Sequence, residues 1–117
     1  MRYGHNRKIC FKMKIFFLGD IVGKVGRLAV IKNLKNILES KKIDFVIANG
    51  ENAADQGVGI TEEISNDLFN AGVDVITTGN HVWDQKEAIN YIERETRLLR
   101  PENLSINSPG KGFGIYN

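Results

Sequence analysis

Short apolar runs alternate with segments of helical periodicity along most of the chain. Runs rich in Val, Ile and Phe that end in glycine and polar residues are typical of buried strands. Strands are predicted over residues 13–18, 43–48 and 73–77, and residues 112–116 are predicted to begin a fourth. Because the first three strands lie about one βα unit apart, the pattern predicts an α/β fold with a mostly parallel βαβ sheet.

Three helices are predicted between these strands. The first spans about residues 25–40, and the second lies between an N-cap at Thr61 and a C-terminal stop at Gly72. A capping box formed by Asp84 and Glu87 is predicted to start the third helix. The positions expected to face inward are Leu28, Ile31, Leu34 and Leu38, then Ile64, Leu68 and Ala71, then Ala88, Ile89 and Ile92.

The bulk composition is that of a single globular domain. The 117 residues are 42% hydrophobic and 26% charged, and a net charge of +2 is too small to indicate nucleic-acid binding. The single cysteine excludes an intrachain disulfide and a zinc site with several cysteines. Because no apolar run approaches the roughly 20 residues of a membrane span, we expect a cytoplasmic protein without a membrane partner.

The basic segment over residues 1–12 lacks periodicity, and a disordered extension is predicted there, with the domain spanning residues 13–117. His5 and Cys10 could together touch a metal ion. Two ligands are too few for a protein metal site, so a solvated tail is the better interpretation.

Each of the first three predicted strands ends in a glycine followed by polar residues. The segments are Gly19-Asp20, Gly50-Glu51-Asn52 and Gly79-Asn80-His81. Because open α/β sheets bind ligands at the carboxyl ends of their strands, we expect these five polar side chains to lie close together. Singly, each residue suits a turn or a helix cap, but the threefold repetition favours a functional site.

The chemistry of these five side chains suits metal-assisted hydrolysis of a phosphoester. Two divalent ions need a bridging carboxylate, further oxygen donors and open positions for water and phosphate. Glu51 is the candidate bridge, with Asp20 on one ion and Asn80 on the other. Asn52 could bind a metal ion or a phosphate oxygen. His81 is then the candidate general acid, because the ordinary pKa of histidine is close to neutral pH.

Two glycine-rich loops offer a different function, nucleotide or anion binding. The loop over residues 19–26 fails the dinucleotide fingerprint at Ile21 and the phosphate-loop motif at Val25. Gly57-Val58-Gly59 could cradle an anion with free N–H groups, although most such loops are flexible connectors. A small nucleotide-binding domain is therefore the least favoured alternative.

Several blocks of the sequence resemble one known family. They are Gly19-Asp20-Ile21-Val22-Gly23-Lys24, Ile47-Ala48-Asn49-Gly50-Glu51-Asn52-Ala53-Ala54, Thr78-Gly79-Asn80-His81-Val82-Trp83-Asp84, Arg97-Leu98-Leu99-Arg100-Pro101 and Pro109-Gly110-Lys111-Gly112. Over residues 13–117 the chain resembles the YmdB-like branch of the calcineurin-like metallophosphoesterase superfamily. The resemblance implies the N-terminal half of a four-layer α/β/β/α sandwich and hydrolysis of 2′,3′-cyclic nucleotides with two iron or manganese ions.

The same resemblance implies a role for each candidate residue. Asp20, Glu51, Asn52 and Asn80 would be metal-site residues, and His81 would be the catalytic acid, with Asn52 also counted among the catalytic residues. Nucleic acid would be involved only as a source of cyclic-nucleotide substrate.

The chain departs from the family pattern in two ways. Val22 stands where the wider superfamily has a histidine, a loss that the YmdB-like branch shares. Family members also take further histidine ligands from later in their chains, whereas this sequence has no histidine after His81. We therefore expect half a dinuclear site, weak metal binding, little turnover by this chain alone and one uncovered, apolar sheet face. A homo-oligomer or a complementing C-terminal chain could complete the site, and the alternative is a non-catalytic binding or regulatory module.

Overall fold

The computed structural model describes residues 11–117. The interpretations of His5 and Cys10, and of most of the predicted N-terminal extension, concern residues outside this range. Phe11 and Lys12, the last residues of that extension, are exposed and have no regular secondary structure.

Four parallel strands form one sheet in the described part of the chain, in the order β1-β2-β3-β4. They are β1 (Ile15–Asp20), β2 (Phe45–Asn49), β3 (Val75–Thr77) and β4 (Leu98–Leu99). The predicted α/β class and parallel βαβ sheet are confirmed.

Three helices connect these strands, namely α1 (Gly23–Lys41), α2 (Glu62–Ala71) and α3 (Glu87–Arg94). Because consecutive parallel strands are adjacent and such crossovers are right-handed, all three helices lie on the same face of the sheet. As predicted, Thr61 caps α2, its side chain accepting a hydrogen bond from the N–H of Ile64 at 3.2 Å. Gly72 ends α2 with a φ of 117°.

The core lies between the helices and the sheet. The side chains that are at most 2% exposed there include Leu34, Val46, Ala48, Ile60, Leu68, Ile76, Ile92 and Leu98. Two predicted inward positions are wrong, because Leu28 is 50% exposed and Ile89 is 38% exposed. The face that α1 turns inward carries Arg27 and Leu34, so the buried stripe is rotated away from Leu28.

The prediction of a fourth strand at residues 112–116 is wrong. The fourth strand is the two-residue β4, and residues 112–116 are irregular. Glycine at positions 112 and 114 weakens strand formation there. The irregular segment is held instead by Tyr116, whose ring lies 6.1 Å from that of Phe45 and whose hydroxyl donates to the carbonyl of Thr96 at 2.7 Å.

The predicted capping box is also wrong. The helix α3 begins at Glu87 after Lys86, which makes no side-chain capping bond. The Glu87 carboxylate instead accepts a hydrogen bond from the N–H of Glu62 at the start of α2, at 3.1 Å. The Asp84 carboxylate contacts His81. A tertiary partner in α2 and a local partner three residues earlier therefore take Glu87 and Asp84, respectively, away from the predicted cap.

The sheet face opposite the helices is open at its β1 edge. Ile15 and Phe17 of β1 point to this face and are 55% and 60% exposed. The expectation of an uncovered apolar face holds for β1, while the two further layers implied by the resemblance stay a prediction. None of the helices described is long and apolar enough to cross a membrane.

Candidate active site

The five candidate residues stand at the carboxyl edge of the sheet. Asp20 is the last residue of β1, Glu51 and Asn52 follow the end of β2, and Asn80 and His81 follow the end of β3. The prediction that these residues end or follow the first three strands is therefore confirmed.

A β-bulge at the end of β1 sets the position of Asp20. Leu18 pairs with Ala48, but Asp20 pairs with Asn49, so Gly19 is an extra residue in β1. With regular alternation Asp20 would share the helix-covered face with Leu18. The bulge moves it out of that alternation, as bulges beside active sites commonly do.

Asp20 and Asn52 form the first pair of the site. The Asn52 Nδ2 group donates to both carboxylate oxygens of Asp20, each at 3.0 Å. The backbone carbonyl of Asn52 accepts a hydrogen bond from the N–H of Gly23 at 2.8 Å. The Asn52 Oδ1 atom is buried and has no hydrogen-bond partner among the described residues. It is an oxygen donor available to a cation.

Glu51 forms the second contact, with the turn after β3. The backbone N–H of His81 donates to Glu51 Oε2 at 3.3 Å. A Cβ atom built on Gly79 would lie 2.5 Å from Glu51 Oε1, closer than real Cβ contacts come. The Glu51 carboxylate therefore lies directly against the Gly79–His81 backbone.

His81 is oriented by Asp84, a residue that sequence reasoning assigned to helix capping. Its Nδ1 atom lies 2.6 Å from Asp84 Oδ2, and the two side chains are 36% and 38% exposed. A carboxylate accepts only, so in the neutral ring Nδ1 carries the hydrogen and Nε2 has the free lone pair. The i,i+3 spacing from His81 to Asp84 was the available signal, but a capping box has the same spacing.

Asn80 does not join these contacts. Its side chain is exposed and makes no hydrogen bond to the other four candidates within residues 11–117. The site is thus assembled as an Asp20–Asn52 pair and a Glu51–His81 pair, with Asn80 beside the second.

Comparison with known proteins identifies the family. A family model described as YmdB-like protein matches residues 16–117. The chain belongs to the YmdB-like family.

Relatives of this YmdB-like chain include a Bacillus subtilis (strain 168) protein named 2′,3′-cyclic-nucleotide 2′-phosphodiesterase. It is 45% identical over 101 residues, which cover 86% of this chain and 38% of that protein. A Mycoplasma genitalium protein named putative phosphatase/phosphodiesterase is 37% identical over 106 residues, covering 89% of this chain and 37% of that protein. The chain thus spans less than two-fifths of the length of these relatives.

Two solved structures share the fold of this YmdB-like chain. A hypothetical protein from Thermus thermophilus matches with a TM-score of 0.81 and 42% identity, over 87% of this chain and 39% of that one. A structure described as a novel phosphatase, from Mycoplasma pneumoniae, matches with a TM-score of 0.78 and 34% identity, over 89% of this chain and 39% of that one. Both support the α/β architecture of the described residues.

The donor set fits part of a dinuclear metal centre. Two carboxylates and the buried Oδ1 of Asn52 are oxygen ligands of the kind that divalent cations accept. Within residues 11–117, however, no three His, Cys, Asp or Glu side chains are grouped so that they could hold a metal ion. Asp20 and Glu51 are too few carboxylates for two ions.

Proposed function

We propose that this YmdB-like protein is a metal-dependent phosphodiesterase that hydrolyses 2′,3′-cyclic nucleotides. The contact of Glu51 with the Gly79–His81 turn carries the proposal, because it brings a candidate bridging carboxylate beside a candidate general acid. The name of the Bacillus subtilis relative supports the choice of substrate.

In this proposal, Asp20, Glu51, Asn52 and Asn80 hold two divalent ions, with iron or manganese expected. When bound, such ions activate water and neutralise charge on the phosphate. Asn52 fits its role best, since its Nδ2 group fixes the Asp20 carboxylate while its Oδ1 atom has no partner in the described structure.

His81 supplies the proton that the reaction needs. Water attacks phosphorus and loses a proton to solvent, the bond from phosphorus to one ribose oxygen breaks, and the departing oxygen takes a proton from the protonated ring at Nε2. The ring then regains a proton from solvent. Asp84 holds Nδ1 at 2.6 Å, so Nε2 is the nitrogen left for this transfer. The chain therefore contributes both the acid and the group that orients it.

We further propose that ligands from outside this chain complete the metal site, since the chain spans less than two-fifths of the length of its relatives. A second copy or a complementing chain would supply the remaining ligands. We expect the isolated chain to bind metal weakly and to turn over little substrate. The cytoplasmic location stays a prediction.

A non-catalytic binding or regulatory module is the second candidate. The observation that favours it is the lack, in residues 11–117, of any group of three His, Cys, Asp or Glu side chains that could hold a metal ion. It predicts that the chain cannot support hydrolysis even when the missing ligands are supplied.

A chimaera separates these two functions. Residues 16–117 would replace the matching stretch of the Bacillus subtilis relative, and hydrolysis of 2′,3′-cyclic AMP would be measured with Mn²⁺. We expect turnover, reduced by His81→Ala by about 10²–10⁴-fold, the usual contribution of a general acid. A folded but inactive chimaera would support the non-catalytic module.

The isolated chain is assayed beside the chimaera. In the chimaera, Asn90→Ala, at an exposed position of α3 outside the candidate site, is the control for His81→Ala and should leave turnover unchanged. Equal losses in the two variants would remove His81 from the mechanism.

A further inference from the structure

Arg27 is a buried cation that the catalytic proposal does not use. It lies in the second turn of α1 and is 8% exposed. In the described part of the chain, Arg100 is the other buried residue with a charged side chain. Burying a guanidinium group costs free energy unless its donors are satisfied, so its partners indicate what it stabilises.

Both partners of Arg27 lie in the loop that follows β2. Its Nη1 atom donates to the backbone carbonyl of Ala53 at 2.6 Å, and its Nη2 atom donates to Asp55 Oδ1 at 2.8 Å. The Asp55 side chain is 61% exposed, so solvent screens this ion pair and its contribution is small. The bond to Ala53 is charge-assisted and buried, which makes it the stronger of the two contacts.

The same loop carries the metal-site candidates. Asn52, immediately before Ala53, also gives its backbone carbonyl to α1, through the N–H of Gly23. Two successive carbonyl groups of the loop are thus held by the first two turns of one helix. Any shift of this backbone would move Glu51 and the Asn52 side chain, which in turn holds Asp20.

We propose that Arg27 is a positioning residue of the site, which holds the loop of Glu51 and Asn52 against α1 through the carbonyl of Ala53. The guanidinium group suits this role because its rigid fork reaches two acceptors at once, whereas a lysine ammonium group is a single point charge. We call this contact between Arg27 and the Ala53 carbonyl the Arg27 clamp. Displacement of catalytic groups by about 1 Å can lower the rate roughly 10²-fold, so loss of the clamp should slow the reaction.

Hydrogen exchange in the purified protein tests the clamp without any need for activity. Arg27→Met keeps an apolar stem of similar length and removes the donors. We expect it to raise exchange of the loop amides of Ala53, Ala54 and Gly57 by at least about tenfold, while the amides of α2 keep their protection. Arg94→Met, which removes an exposed arginine that pairs with Glu62 on another helix, should leave the loop unchanged.

Two further variants separate the carbonyl bond from the ion pair. Arg27→Lys retains the charge and should restore part of the loop protection. Asp55→Asn removes only the ion pair and should have a small effect. If Asp55→Asn loosened the loop as much as Arg27→Met, or if Arg27→Met raised exchange uniformly along the chain, the clamp would be disproved.

The side-chain amide protons of Asn52 provide a spectroscopic signature. In the intact protein the Nδ2 group donates to the Asp20 carboxylate, and in Arg27→Met we expect the NMR shifts of these protons to move towards those of an exposed asparagine. Unchanged shifts would contradict a positioning role.

The last experiment is a kinetic measurement on the chimaera, and it rests on the proposed function. There Arg27→Met should lower kcat by about tenfold or more with little change in KM. A loosened loop in an inactive chimaera would reject the phosphodiesterase and keep the clamp, whereas an active chimaera indifferent to Arg27→Met would reject the clamp.

Discussion

The glycines that precede the polar residues at the ends of the first three strands stand in different surroundings. A Cβ on Gly19 would meet nothing within 4 Å, and one on Gly50 would lie 2.8 Å from Ile76 and 2.9 Å from Ile60. At Gly79 the obstacle is the Glu51 carboxylate. Of these three glycines, therefore, only Gly79 brings the backbone directly against a candidate site residue.

Gly79→Ala should displace the Glu51 carboxylate because the added methyl group would occupy its position. A carboxylate is the end of a flexible side chain, so we expect little loss of stability, within about 1 kcal/mol. Turnover of the chimaera should fall by at least about tenfold. Thermal unfolding and steady-state kinetics measure the two effects.

Gly19→Ala is the matched control, with the same substitution at a site that has room, and it should preserve turnover. Gly50→Ala should instead destabilise the fold by about 1–3 kcal/mol through overpacking. Full activity of Gly79→Ala would show that the Glu51 carboxylate is free to leave its observed position.

Asp84→Asn tests the orientation of the His81 ring. Without the carboxylate the preference for a hydrogen on Nδ1 should weaken, and ¹⁵N NMR of the neutral imidazole should show more of the Nε2–H tautomer. In the chimaera kcat should fall by about 10²–10⁴-fold. Asp67→Asn, a change of an exposed carboxylate on α2, is the control. An unchanged tautomer in Asp84→Asn would remove Asp84 from the site.

The sequence reveals the candidate site residues at the strand ends, but it does not reveal the residues that position them. Strand ends are visible as a change from apolar to polar residues, and five candidates follow from that change. The role of Arg27 depends on partners that the fold brings close, with Asp55 28 residues away. The role of Asp84 depends on a local partner, but its i,i+3 spacing from His81 is also that of a capping box. Neither role leaves a periodic signal in the chain.

At the scale of elements, the junction between α3 and β4 is held by one acidic residue. The Glu95 carboxylate accepts hydrogen bonds from Arg97 through the backbone N–H at 3.0 Å, Nε at 2.9 Å and Nη2 at 2.9 Å. The Arg97 guanidinium also lies 3.8 Å above the Phe69 ring of α2. These bonds hold the pKa of the Glu95 carboxyl below its ordinary value of 4.5.

Glu95→Gln should therefore change how stability depends on pH. Because the pKa is lower in the folded state, the contribution of Glu95 is complete above pH 4.5 and is lost as the pH falls through the folded-state value. We expect Glu95→Gln to lower the free energy of unfolding by about 1 kcal/mol at pH 7 and by less at pH 3.

Urea unfolding at the two pH values measures this difference. Glu93→Gln, at an exposed position of the same helix, is the control for the loss of one negative charge. A penalty of equal size at both pH values would mean that the ionised carboxylate of Glu95 does not stabilise the junction.

Element prediction succeeds where one sequence pattern lasts long enough. The strands β1 to β3 and the helices α1 and α2 each have a periodic or apolar run with clear ends. The strand β4 has two residues and is defined by its pairing with β3, a long-range contact without a local pattern. The same limit explains the wrong strand at residues 112–116, a segment that pairs with none of the strands in residues 11–117.

At the scale of the whole molecule, β1 is packed by helices on one face and open on the other. Phe16 and Phe17 are consecutive, and alternation sends them to opposite faces. Phe16 is half-buried against α1 beside Leu18 and Leu34, whereas Phe17 is 60% exposed. The two positions report separately on the two faces of the sheet.

The same substitution at both positions should have unequal effects. Phe16→Thr removes apolar area from the helix-covered core and should cost about 2–4 kcal/mol in urea unfolding. Phe17→Thr should cost less than about 1 kcal/mol and should reduce binding of a dye that reports exposed apolar surface. If Phe17→Thr instead costs as much as Phe16→Thr, and the cost grows with protein concentration, the open face is covered by a second copy in solution. Light scattering on the unsubstituted protein would then show a dimer. Substitution of Phe17 can lower the free energy of unfolding that strongly only if its side chain is already buried away from water.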